Sequence, residues 1–141
     1  MPCNIYQNVR QVSLSKKSIQ EVALEVLSFL NKKNFEVSVH LVGDKKIRSL
    51  NVNWRGKDKV TDVLSFAAQE ESFVKSNDLG DIFICVPQVK RQAKKQNIPY
   101  KEEFFRMLAH GILHVNGYDH ITKKEETKMF ALQERFVKKF V

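Results

Sequence analysis

Cysteine is nearly absent. Cys3 and Cys85 stand far apart and without metal-ligand spacing, which excludes a disulfide framework and fits a reducing compartment. Three prolines and five glycines are too few for a low-complexity or collagen-like chain. No apolar run approaches the ~20 residues of a membrane span. The opening Met-Pro-Cys-Asn has neither a basic n-region nor an apolar h-region, so no secretory leader is expected and the cytoplasm is the expected location. Acidic residues are scarce beside basic ones, 16 against 24, leaving a formal charge of +8. The excess is spread over both halves of the chain, so it belongs to the folded body and favours a polyanionic partner.

What remains is globular: 141 residues, 43% hydrophobic and 28% charged, enough for one core and a single domain spanning 1–141. Ile19, Val22, Ala23, Val26, Leu27 and Leu30 recur at helical spacing and predict a helix over Ser18–Lys32, with Ser18 and Glu21 as a capping box. Phe35–Val42 alternates as a half-buried strand, and Asp44 is expected to cap a short helix carrying Ile47 and Leu50. Trp54–Asp62 reads as a polar loop, followed by a strand at Val63–Phe66 and a polar excursion over 69–78. Ile82–Val86 is a second apolar β run that Pro87 should stop. Gln88–Gln96 reads as a helix with Lys90, Arg91, Lys94 and Lys95 on a basic face. Tyr100–Asn116 is the clearest helix, with Gly117 capping its end. A last helix begins at Thr122, with Glu125 completing a capping box, and buries Met129, Leu132, Phe136, Val137 and Phe140. Helices flanking three or four strands predict one layered domain.

Three of the four histidines fall in His110-Gly-Ile-Leu-His114-Val-Asn-Gly-Tyr-Asp-His120. His110 and His114 are i and i+4 on one helical face. Gly117 can turn the chain so that His120 approaches from the side. Three converging imidazoles match a zinc site with an open fourth position. The spacing is that of metzincin proteases, except that position 111 is glycine where those enzymes carry their glutamate base. Asp119 is the local candidate for a fourth oxygen ligand, or for a group orienting a histidine from behind; the sequence leaves both open. His40, on the polar side of a strand, reads as an ordinary surface histidine.

The eleven-residue histidine block resembles the signature of the YbeY family, bacterial rRNA maturation factors. So does Asn51-x-x-Trp54-Arg55-Gly56-Lys57-Asp58-x-x-Thr61-Asp62-Val63-Leu64-Ser65-Phe66, and so do Leu79-Gly80-Asp81-Ile82 and a C-terminal helix with Glu125, Met129 and Glu134. Two positions depart from the family pattern: Ala109, where valine is common, and Ala67, where proline is usual.

The resemblance implies an α+β domain, a small mixed sheet of about four strands packed with about five helices. It implies one zinc ion held by His110, His114 and His120. It also implies a single-strand-specific endoribonuclease acting in 16S rRNA 3′-end maturation and late ribosome quality control. The expected partners are single-stranded RNA, the 16S rRNA precursor and the small ribosomal subunit, without DNA or membrane. Arg55 and His114 are the expected catalytic residues, Arg55 as a cleft cation clamping phosphate. The competing classes are a non-catalytic, zinc-braced RNA-binding assembly factor and a zinc hydrolase of another substrate. The missing glutamate at 111 and the positive charge argue against the latter.

Overall fold

A computed structural model describes residues 3–68, 77–119 and 121–141. Four strands, β1 (Cys3–Gln7), β2 (Glu36–Val42), β3 (Val63–Ala67) and β4 (Asp78–Cys85), form one sheet in the order β1-β2-β4-β3. β1, β2 and β4 run parallel and β3 pairs antiparallel with β4. Five helices accompany them: α1 (Lys16–Phe29), α2 (Asp44–Arg55), α3 (Val86–Gln96), α4 (Tyr100–Val115) and α5 (Lys123–Phe140). This is the mixed α+β domain expected from the sequence.

Alternation along the strands sorts side chains to two faces. Val37, Val39, Leu41, Ile82 and Ile84 join α1, α4 and α5 in the main core, around Phe104, Phe105, Leu108, Ile112 and Met129. The opposite face carries a smaller cluster, in which Val42, Leu64 and Cys85 are covered by Ile47 of α2. Beyond α2 that face is more open, and Tyr6 is half exposed there.

Several local expectations are corrected, among them the Asp44 cap: Gly43 holds the N-cap position of α2, without a side-chain cap bond, and Asp44 is its first residue. α1 is capped by Ser15, whose hydroxyl accepts from Ser18 N at 3.1 Å; the intervening lysines face solvent and carry no apolar signal. α2 extends through Trp54 and Arg55, residues expected in a loop, and ends at Gly56 in the left-handed conformation. It buries only Ile47 and Asn51, too sparse a pattern to show periodicity. Val86 and Pro87 open α3 rather than close β4; proline has no N–H to lose in the first turn. β1 was not legible because it is short, polar in part and held by pairing with β2. Of the expected excursion over 69–78, residues 69–76 lie outside the described residues, and Asp78 begins β4.

α5 starts as expected, with Thr122 accepting from Glu125 N at 3.1 Å. The end of α4 shows why Gly117 is needed. Gly117 N donates to His114 O and Tyr118 N donates to Leu113 O, each at 3.1 Å, with Gly117 at φ +93°. That paired closure requires a left-handed residue, which glycine adopts without strain.

Candidate active site

α4 carries the first two histidines on its half-buried side, one turn apart, with ring centroids 6.0 Å from each other and planes inclined at 59°. Between them in sequence, Gly111 faces inward. A Cβ there would stand 2.7 Å from Ile82 Cγ2, so glycine is what lets α4 lie against β4. No glutamate can occupy that point without displacing the helix.

His110 Nδ1 lies 2.9 Å from Oε1 of Gln133 on α5. An amide oxygen only accepts, so the contact places the proton on Nδ1 and the ring's lone pair on Nε2. Gln133 is buried, and its amide donates to Glu134 Oε2 at 3.3 Å. Arg106 holds Glu134 through two bonds of 2.8 Å and also pairs with Glu103 at 2.9 Å and Glu102 at 3.3 Å. The Arg106 guanidinium holds the Glu134 carboxyl below its ordinary range, and the carboxylates raise the arginine in return. A chain of fixed charges therefore stands behind one histidine.

Arg55 reaches the same place from α2. Its Nη2 donates to Ser65 O at 2.9 Å, and its guanidinium lies 5.0 Å from the Phe66 ring centroid. The turn that follows is braced from beneath. Buried Asn51 donates to Lys59 O at 3.0 Å, and Asp62 receives Val63 N at 2.7 Å and Gln92 Nε2 at 3.2 Å. Arg55, Val63, Leu64, Ser65, His110 and His114 line one cavity of about 340 Å³. A larger cavity of about 980 Å³ adjoins beyond His110, and one of about 680 Å³ beyond Arg55 and His114.

Of the sequence-predicted site residues, Arg55, His110 and His114 are thus brought together. His120 lies outside the described residues, and among the described residues no three His, Cys, Asp or Glu side chains group as a metal site. The donor chemistry nonetheless fits zinc: two imidazoles lie on one helical face, one held from behind by a buried amide oxygen. Gln133, Asn51 and the Ser65 carbonyl were missed from the sequence. Gln133 shows as a polar residue within the apolar stripe of α5, while Asn51 and Ser65 stand in the family block with no role legible from spacing.

The basic face of α3 is less free than its sequence suggests. Arg91 is bound by both oxygens of Asp44, at 2.7 and 3.1 Å. Lys90 donates to Gln11 O at 2.5 Å and lies over the Tyr100 ring. Lys94 and Lys95 remain exposed. Asp44 is remote in sequence, so the pairing was invisible in the spacing of the cations. His40, read as ordinary, is 2.8 Å from Asp81 Oδ1 and stacked between Tyr6 and Phe83.

Comparison with known proteins agrees with this layout. The model of the endoribonuclease YbeY family matches residues 4–141. The Endoribonuclease YbeY of Sulfurihydrogenibium sp. is 43% identical over 136 residues, covering 96% of this chain and 90% of the relative. That of Persephonella marina is 45% identical over 124 residues, covering 86% and 81%. That of Aquifex aeolicus is 40% identical over 131 residues, covering 89% and 87%. The solution structure of TM1509 from Thermotoga maritima matches with a TM-score of 0.71 at 30% identity, over 98% of this chain and 88% of that one. With the family match running nearly end to end and His110, His114 and Arg55 gathered at one cavity, the chain belongs to the endoribonuclease YbeY family, enzymes named for cutting RNA within the strand.

Proposed function

We propose that this chain is a zinc-dependent endoribonuclease of the cytoplasm that cuts single-stranded RNA. In this reading it acts on the 16S rRNA precursor at its 3′ end, within the small ribosomal subunit, and in ribosome quality control. The observation that carries the proposal is the cavity shared by Arg55, His110 and His114, in a chain of the endoribonuclease YbeY family with a net charge of +8. His110, His114 and His120 are the proposed ligands of one zinc ion per chain. When bound there, zinc supplies Lewis acidity toward a phosphoryl oxygen.

The chain's own residues supply the rest. Arg55 spends one nitrogen on Ser65 O, which fixes the guanidinium at the cavity wall and leaves further N–H groups for the scissile phosphate. His114 lines the same cavity, one helical turn from the histidine that Gln133 orients. Val63 and Leu64 add apolar surface to the cavity lining. Peptide hydrolysis with a glutamate base is disfavoured by the packing of Gly111 on Ile82.

The test is single-turnover cleavage of a short single-stranded RNA by zinc-loaded protein, beside metal content by elemental analysis. Arg55→Ala should keep zinc and fold while losing about a hundred- to thousand-fold in rate. Arg55→Lys should recover only part, since a point charge does not reproduce a planar two-bond clamp. A His114→Ala, His120→Ala double variant should lose its zinc. A parent that never cleaves under any metal load would leave the binding-only assembly factor as the better reading.

A further inference from the structure

We propose that the cavity of about 680 Å³ beside the cleft is a nucleobase subsite, seating one base of the RNA strand whose scissile phosphate lies between Arg55 and the histidines. The inference rests on the ribonuclease reading and adds the chemistry of a neighbouring position. The two cavities share Arg55, Ser65 and His114 as a common wall, so a strand leaving the cleft on that side enters the second cavity directly.

Its lining suits a base rather than a second phosphate. Trp54, Phe66 and Phe83 form an aromatic side, with Trp54 and Phe66 edge-to-face at 6.1 Å and Phe66 and Phe83 at 5.8 Å. Trp54 is 68% exposed, which is unusual for so large an apolar ring. An exposed indole beside a phosphate-binding cation is the combination on which single-stranded nucleic acids stack.

Beside the rings stands Asp81, the cross-strand neighbour of Phe66 and the anionic group among the described lining residues. A carboxylate there repels phosphate and accepts the N–H groups of a base edge. It is held in place from behind: His40 Nε2 lies 2.8 Å from its Oδ1. His40 is itself fixed between Tyr6, at 5.0 Å and 18°, and Phe83, at 4.3 Å and 10°. Register explains the stack, since Tyr6, His40 and Phe83 are direct neighbours across β1, β2 and β4. The sheet thus sets one acceptor beside the rings of an apolar slot.

Trp54 is the single tryptophan, so its emission reports on this cavity alone. The experiment titrates zinc-loaded protein with a short single-stranded RNA and with a strand of equal length made of abasic ribose phosphates. The RNA should quench Trp54 and bind about five- to hundred-fold tighter than the abasic strand, the range expected for stacking one base. By anisotropy of end-labelled strands, Trp54→Ala should erase that preference and Trp54→Tyr should restore most of it, with circular dichroism matching the parent. Asp81→Asn should narrow the preference from the other side, by strengthening the abasic strand. Equal binding of the two strands to the parent, or a preference that survives Trp54→Ala, overturns the subsite and leaves the ribonuclease reading intact. Failure of the parent to bind either strand overturns both.

Discussion

His110 on α4 and Gln133 on α5 meet at 2.9 Å, ring nitrogen to amide oxygen, and the contact selects the tautomer of the histidine. Because Gln133 is buried and its own amide donates to Glu134, the oxygen cannot readily exchange places with the nitrogen. Gln133→Met should preserve packing volume while releasing the ring. If His110 is a zinc ligand as proposed, affinity should fall about ten- to a hundred-fold. Competition titration against a chelator measures this, and unchanged affinity would detach Gln133 from the metal.

Arg106 is the hub of the ion cluster behind that contact, with its side chain only 19% exposed and three carboxylates around it. Arg106→Met leaves Glu103, itself 3% exposed at the side chain, without its cation. Breaking a buried pair in this way costs about 3–5 kcal/mol, readable as a lowered urea midpoint. The pH dependence follows in sign. Glu134 is held below its ordinary range, chiefly by its bonds to Arg106, so its share of stability is complete above the unfolded carboxylate value. That share is lost as pH falls below ~4.5 toward the depressed native value. Glu134→Gln should flatten that acid limb of the Tm profile.

Gly111 should tolerate little. An added Cβ meets Ile82 Cγ2 at 2.7 Å and two further Ile82 carbons at 3.3 Å, all in the fully buried core. Gly111→Ala gains helix propensity of about 1 kcal/mol but must push α4 from β4, an overpacking cost of about 1–3 kcal/mol. A modest net loss of stability is expected by thermal denaturation. Pairing it with Ile82→Ala, which removes the Cγ2 that the new Cβ meets, should cost less than the sum of the two single changes in a double-mutant cycle.

Both thiols should be silent in the folded protein. Cys3 and Cys85 are buried, and burial pushes each up to about 12, far from the thiolate form at neutral pH. A colourimetric thiol reagent should therefore react only as fast as the chain unfolds, and at once in denaturant.

Much of this was legible from residues alone, for identifiable reasons. The histidine block announces itself because helix period and the Gly117 turn are both local. The faces of α1, α4 and α5 are written in apolar spacing, and Thr122 with Glu125 marks a helix start directly. Sequence spacing leaves Arg55 in a loop because α2 buries just two side chains, and a mostly solvated helix leaves little periodic trace. The bonds of Arg91 to Asp44 and of His110 to Gln133 join residues distant in sequence. Spacing cannot announce such pairs; they follow from how helices lie across the sheet.

The helix that carries His110 and His114 is also the one most deeply set in the core, burying nine of its residues from Glu103 to Val115 and touching α1, α3, α5, β3 and β4. Such a segment opens last. In native-state hydrogen exchange its central amides should follow global unfolding rather than local fraying. The two imidazoles therefore have no separate melting of their own: over the whole range in which the domain is folded, their spacing is inherited from the core.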